Sequence, residues 1–288
     1  MDKRAQFDFE ISFTNGGGIQ GQGFRLDIPG ENISDRELGE YLVRDLRLLM
    51  VDEVSIRNKR ILEEEHKRAS PVRIDLSHVI HDGLVTYKGL PAPVICDYLS
   101  REDSRDHYAP GTEFQIARID MVANTGTYVD CPSHRYADGK DLSEVGLEQF
   151  SDLEGITVRA GHENGMEIGA EFFKGRNVRD KAVLVNTGWD VNWATDSYFE
   201  THPFLTEEAA MYLRDSGARL VGIDSMNIDD TRGGSRPVHS TLLKAGILIV
   251  EHLCGLGQLP EQGYAFNAIP PKVKGMGTFP VRAFARLE

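Results

Sequence analysis

Asp130 and His134, a carboxylate and an imidazole four residues apart, are the side chains around which chemistry is expected in this sequence. They close the stretch Asn124-Thr125-Gly126-Thr127-Tyr128-Val129-Asp130-Cys131-Pro132-Ser133-His134. Groups of these types carry protons or hold divalent cations near neutral pH. An alternating run from Phe114 to Val122 precedes the stretch and reads as a strand. Gly126 then permits a sharp turn and Pro132 stiffens the exit, so the pair is expected on a constrained loop at a strand end. Cys131 lies between them, but Asp130 and Pro132 beside it offer no positive charge to lower a thiol pKa, and a catalytic cysteine is not expected. A second imidazole and carboxylate stand further on. His239 opens a helix that starts at Pro237, and Glu251 ends the strand Ile247 to Val250, twelve residues later. Taken alone, a histidine at a helix start is a cap or surface residue as readily as a ligand.

The elements that must position these groups are legible from patterning. Phe7, Phe9, Ile11 and Phe13 alternate with polar residues, Asn15-Gly16-Gly17-Gly18 signals a turn, and Phe24 to Ile28 alternates again. This predicts a hairpin rather than a phosphate loop, because no Lys-Ser/Thr and no helix follow the glycines. Ser34 with Glu37 forms a capping box, and Leu38, Leu42, Leu46 and Leu49 line one face of the helix it opens. Val54 to Ile61 alternates once more. Residues 1–68 therefore read as a small α+β module of hairpin, helix and strand, ending in the charged linker Glu63-Glu64-Glu65-His66-Lys67-Arg68. A second domain, 69–288, opens with the strand around Ile74. His78 and His81 precede a glycine-bearing run and are expected to be surface or structural. The polar, turn-rich residues 97 to 112 are expected to form a loop over the site. Ile156 to Val158, Ala182 to Val185 and Leu220 to Asp224 read as buried strands, and Thr206 caps a helix through Leu213. Between them, Trp189, Trp193, Tyr198, Phe199 and Phe204 make an aromatic-rich loop, either core packing or a binding wall.

Composition bounds the function. The chain has 288 residues, 27% charged and 40% hydrophobic, as a soluble globular protein has. Acidic residues outnumber basic ones 45 to 32, for a formal charge of −13, which excludes a phosphate-backbone partner. No apolar run is long enough for a bilayer and no signal peptide is expected. Cys96, Cys131 and Cys254, odd in number and without CxxC spacing, fit reduced thiols in the cytoplasm.

The stretch around Asp130 resembles the motif His-x-Gly-Thr-His-x-Asp-x-Pro-x-His of the cyclase family of metal-dependent hydrolases, which includes bacterial kynurenine formamidases and isatin hydrolases. Gly126, Thr127, Asp130, Pro132 and His134 match, whereas Asn124 and Tyr128 replace the two histidines. The resemblance extends from about Ile74 to the C-terminus. It implies an α/β domain with a mixed, curled sheet and flanking helices, of the swivelling β/β/α type, and a homo-oligomer, most simply a dimer. It implies two metals in the family, one held by both motif histidines and the Asp, the other by the same Asp with a later His and Glu. Here Asp130, His239 and Glu251 preserve the second. Asn124 and Tyr128 leave the first lost or weak, since Asn offers a neutral oxygen and Tyr must first lose a proton with a pKa near ~10. One divalent metal, Zn²⁺ or Mn²⁺, is therefore expected. The resemblance further implies His134 as proton shuttle, or as a recruited ligand; Thr127 as an oxyanion donor; and Trp189, Trp193 and Phe204 as the substrate wall. The expected activity is hydrolysis of a small amide, formamide or lactone by metal-activated water, with a small-molecule substrate and neither nucleic acid nor membrane as partner. Two other readings stay open. A cyclase or dehydratase on the same scaffold is separated by product analysis. A non-catalytic binding protein is separated by metal content.

Overall fold

The computed structural model describes residues 2–64 and 71–287. By internal contacts the chain divides into two compact units, Met1–Pro71 and Val72–Glu288.

The first unit begins with strands β1 (Asp2–Phe13) and β2 (Gly18–Asp27), joined by the tight turn that Gly16 permits at φ +84°. Helix α1 (Asp35–Asp45) follows, then β3 (Val51–Glu64). The antiparallel sheet has the order β2-β1-β3. Period two puts Ala5, Phe7, Phe9 and Ile11 on one face, where Leu38 and Leu42 of α1 cover them. The capping box of Ser34 and Glu37 forms as expected. The helix is shorter than its leucine stripe. Its C-cap is Leu46, Arg47 turns to φ +51°, and Leu49 lies beyond the end, 81% exposed. The charged linker falls mainly at residues 65–70, outside the described residues; Glu63 still belongs to β3.

The second unit opens with β4 (Arg73–Asp75), β5 (Val94–Leu99), helix α2 (Arg101–Ser104) and β6 (Ile116–Asp120). Strands β7 (Tyr128–Asp130), β8 (Leu153–Arg159), β9 (Glu167–Ile168), β10 (Ala182–Asn186) and β11 (Phe204–Leu205) come next. Helix α3 (Glu207–Asp215), β12 (Leu220–Ile223), helix α4 (Pro237–Lys244), β13 (Leu248–Glu251), β14 (Tyr264–Asn267), β15 (Thr278–Pro280) and β16 (Phe284–Leu287) complete it.

Nine of these strands form one curled mixed sheet, β15-β7-β13-β12-β10-β8-β14-β16-β4. Its centre, β13-β12-β10-β8, is parallel, and its strands are apolar on both faces. The margins are antiparallel. One face, with Val183, Val185, Val221, Ile223 and Ile249, packs under α3 and α4 through Leu213, Val238 and Leu242. The other face, with Val129, Leu184 and Val250, is enclosed by Tyr264, Phe266 and Ala285 from the far end of the same sheet.

Two expectations about the key stretch are corrected. Tyr128–Asp130 is a strand of the main sheet rather than a loop, and only Pro132–His134 is a turn, a short 3-10 helix. The run before it gives β6, but β6 pairs with β5 in a separate two-stranded hairpin. Local alternation is the same for either sheet, so the pattern does not show which partner a strand takes. Residues 97 to 112 belong mostly to that hairpin and its short helix, and none of them lines the cavity described next.

Candidate metal centre

Strand β7 lies between β13 and β15, with Glu251 opposite Tyr128 on one side and Thr278 opposite Asp130 on the other. Tyr128 and Asp130, two residues apart, share a face with Glu251. Strand β7 is entered through Gly126 at φ +66°, where a Cβ would sit 2.8 Å from the Ile80 side chain. Beyond Asp130 the chain turns under Gly277, whose Cβ, were there one, would stand 2.3 Å from the His134 amide nitrogen. β13 stops at Glu251 because His252 takes φ +55°, a left-handed conformation held by the Thr127 hydroxyl bonding to its carbonyl at 2.6 Å. Helix α4 supplies the remaining group, His239, in its first turn.

These elements converge on one buried point. His239 Nε2 lies 3.6 Å from Asp130 Oδ2 and 3.7 Å from Glu251 Oε1. Asp130 is fully buried and its Oδ2 has no hydrogen-bond partner among the described residues. Such separations are about the edge of a tetrahedron built on metal bonds of ~2.0–2.2 Å. Asp229 orients the imidazole. Its carboxylate accepts from His239 Nδ1 at 2.6 Å and from the Val238 and His239 amides, so Nε2 is the ring nitrogen that faces the two acids. Burial alone would depress the His239 pKa, but the carboxylates of Glu251, Asp130 and Asp229 outweigh it and push it up; burial raises that of Glu251. Three acids around one imidazole call for positive charge at this point, which a bound divalent cation would supply. The oxygen and nitrogen donors fit such an ion.

Tyr128 fills the place next to it. Its hydroxyl donates to Glu251 Oε2 at 2.7 Å, and burial, then the charges of Glu251 and Asp130, raise its pKa well above the ordinary phenol value. A phenol that stays protonated is a poor metal ligand. The neighbouring Asn124 side chain offsets that rise only in part. His134 stands close by. The Thr278 hydroxyl donates to Asp130 Oδ1 and lies 2.7 Å from His134 Nδ1. A hydroxyl has one proton, so Nδ1 carries the hydrogen of that contact and His134 Nε2 is left as an acceptor. Asp130, His134 and His239 offer ligand atoms within 4.8 Å of one another.

A cavity of about 770 Å³ opens above these groups, lined by Asn124, Tyr128, His134, Asn227, His239 and Glu251, with Tyr87, Leu90, Arg135 and Arg236 among its other walls. The expected aromatic wall is elsewhere. Trp189, Trp193 and Tyr198 pack with Met226, and His78 stacks on Trp193 at 3.9 Å. Phe204 is buried in β11. Apolar aromatic residues behind a strand end pack into the core when they find partners there. The Thr127 hydroxyl is likewise committed, donating to His252 and accepting from the His78 amide, away from the cavity. His81 is exposed on its own turn, and Cys131 is buried, its pKa raised by that burial. Asp229, Asn227, Thr278, Arg135 and Arg236 were not evident from sequence. Asp229 lies ten residues before His239 without a helical period, and Thr278 meets Asp130 only through strand pairing.

The cyclase family model, described as "Putative cyclase", matches residues 74–230. The chain belongs to that family. It is 30% identical over 186 residues to the kynurenine formamidase of Geobacillus thermodenitrificans, covering 64% of this chain and 85% of the relative. Among solved structures, a potential metal-dependent hydrolase with cyclase activity superposes with a TM-score of 0.62 at 26% identity, over 75% of this chain and 98% of its own. Isatin hydrolase A of Labrenzia aggregata shares the fold, with a TM-score of 0.65 at 22% identity over 75% and 94% of the two chains. The chain is thus an enzyme of a family whose named relatives are hydrolases.

Proposed function

We propose that this enzyme is an arylformamidase-like hydrolase that cleaves a small amide, formamide or lactone with one divalent cation, Zn²⁺ or Mn²⁺. The orphaned Asp130 Oδ2, facing His239 Nε2 together with Glu251 Oε1, carries the reading. The named activities of the relatives support the substrate class. Asp130, His239 and Glu251 would hold the cation; Asn124 and Tyr128 stand where the family holds a second. When bound, such a cation lowers the pKa of water toward ~7 and polarises a carbonyl.

The chain's own groups then act as follows. His134, fixed through Nδ1 by Thr278, takes a proton from the attacking water at Nε2 and returns it to the departing nitrogen or oxygen. With Thr127 committed elsewhere, the side-chain amides of Asn227 and Asn124 at the cavity wall are the donors for the oxyanion. Tyr128 keeps Glu251 fixed. Asp130→Ala and His239→Ala lose both metal and turnover, whereas His134→Ala keeps its metal and loses ~10²–10⁴-fold in rate. Metal analysis by mass spectrometry with an amide and lactone screen tests this. A metal-free His134→Ala protein would make His134 a ligand, and normal turnover by all three variants would refute the site.

Residues 1–68 and 69–288 are taken as two domains, consistent with the two compact units. A homo-oligomer, most simply a two-fold dimer, is proposed because the β5–β6 hairpin exposes Val94, Tyr98, Ile116 and Ile119 to solvent. A sedimenting species of 32.1 kDa at micromolar concentration contradicts it. No helix among the described residues is long and apolar enough to cross a membrane. The free thiols Cys96, Cys131 and Cys254 support a cytoplasmic setting.

A further inference from the structure

Strand β3 is an open edge of the N-terminal sheet, and a long one. Its 14 residues pair with β1 on one side and, among the described residues, with no strand on the other. A bare edge of this kind is a template for another strand, and proteins commonly blunt it with bulges or a cover. The opposite edge is blunted. Strand β2 carries Gly18, Gly21 and Gly23, the last at φ +61°, and its pairing shifts between Phe7 and Phe9. On β3 the irregularities spare one segment. They fall at Asp52 and at Asn58-Lys59, where Asn58 takes φ +53°. Between them Glu53 to Arg57 pairs residue for residue with Ser12 to Asp8 of β1.

That regular segment, Glu53-Val54-Ser55-Ile56-Arg57, is complementary to itself. Turned about a two-fold axis through Ser55 and set antiparallel, Glu53 faces Arg57 of the second copy and Val54 faces its Ile56. Ser55 faces itself, and each of the other contacts occurs twice. Period two keeps the faces in agreement. Val54 and Ile56 stand opposite the core residues Ile11 and Phe9 and are half-buried, whereas Glu53 and Arg57 are exposed. Glu53 has no ion pair among the described residues. Arg57 reaches only Glu10, at 3.5 Å, with 68% of its side chain in solvent. Beside the two apolar residues, a groove of about 580 Å³ runs between β3 and α1, lined also by Gly39, Val43 and Val51.

We propose that a second copy of this chain docks on this edge, β3 against β3, joining two three-stranded sheets into one continuous antiparallel sheet. Main-chain hydrogen bonds hold such a strand addition, and side-chain pairs set its register. Charge identifies the occupant. An acid and a base placed symmetrically about Ser55 are both matched by the reversed copy of the same strand, while a strand of uniform charge is repelled at one end. The axis stands perpendicular to the sheet, so both α1 helices lie on one face and their grooves meet over the Val54 and Ile56 pairs. The contact uses residues outside the matched family region 74–230 and is separate from the β5–β6 hairpin. With both interfaces formed, the smallest closed assembly is a tetramer.

The test uses the full chain with its exposed thiol removed by Cys96→Ser. In a Ser55→Cys variant the two new side chains face each other across the axis, with Cβ atoms about 4.5–5.5 Å apart. Mild oxidation is expected to give a covalent dimer on a denaturing gel. In a Glu53→Cys variant the equivalent thiols stand four residues out of register, about 14 Å apart, and stay unlinked. Charge supplies the second arm. Glu53→Arg and Arg57→Glu each set like charges opposite one another twice. Either alone is expected to weaken assembly about tenfold or more in sedimentation and to halve the mass of the largest species. Mixed one to one, the two variants match again at both pairs and recover to within about threefold of the unmodified chain. Simple loss of folding would not be rescued by mixing. The pairing is overturned by an unlinked Ser55→Cys chain or by equal cross-linking of Glu53→Cys. It is equally overturned if the single charge variants assemble like the unmodified chain, or if their mixture does not recover.

Discussion

At the residue scale, the least expected group in the centre is Thr278. It hydrogen-bonds Asp130 and His134 at once through a single hydroxyl, and sits beside them only because β15 pairs with β7. Its one proton goes to the carboxylate, so it sets the tautomer of His134 and keeps Nε2 an acceptor. Thr278→Val removes this constraint while conserving volume. The expected result is a rate ~10–100-fold lower, as for loss of a group that orients a reacting imidazole. The ¹⁵N shifts of His134 should move toward the other tautomer. Thr278→Ser should restore both. An unchanged tautomer in Thr278→Val would reduce Thr278 to packing.

At the scale of elements, Asp229 ties the loop after β12 to the first turn of α4. The same carboxylate caps the Val238 and His239 amides and accepts from His239 Nδ1. Capping and orientation are separable by chemistry. Asp229→Asn retains an oxygen for the amides but not the full acceptor set for the imidazole. It should weaken metal binding by ~10–100-fold and cost little stability. Asp229→Ala should lose the cap as well, a further ~1–2 kcal/mol. Chelator competition and denaturant unfolding measure the two effects. Equal metal affinity in all three proteins would show that α4 alone aims His239.

At the scale of the whole molecule, buried histidines link stability to pH. Burial holds His252 down to about 3 and His78 down to about 4, and lowers His202 as well. In the unfolded chain such groups titrate near ~6.5. Their folded pKa values are depressed, so the unfolded state binds more protons below that value. The stability they contribute is complete above about pH 6.5 and is lost as pH falls toward 3 to 4. Denaturant midpoints should therefore drop between pH 6.5 and 4.5. His252→Gln, which still offers Tyr198 a partner, should show a shallower drop; identical slopes would exclude His252 as a source.

Local order was written in the sequence where one short-range force dominates. The hairpin of β1 and β2, the capped starts of α1 and α3, and the apolar strands β8, β10, β12 and β13 follow from periodicity, turn glycines and capping residues alone. The family resemblance also singled out Asp130, His239 and Glu251, and the sheet and α4 bring both carboxylates within 3.7 Å of His239 Nε2. What lay beyond the sequence was partner choice. Alternation around Ile116 makes a strand without saying that β5 is its neighbour. The aromatic residues Trp189, Trp193 and Phe204 carry no mark of whether they face a cavity or a core. Thr278 lies 148 residues from Asp130, Arg236 is 101 from Arg135, and no local pattern spans such gaps. Backbone propensity acts within a turn or a strand. The meeting of side chains from distant strands is fixed only when the curled sheet closes and buries both faces, and that is why the tertiary structure, rather than the motif, decided which groups surround the candidate metal centre.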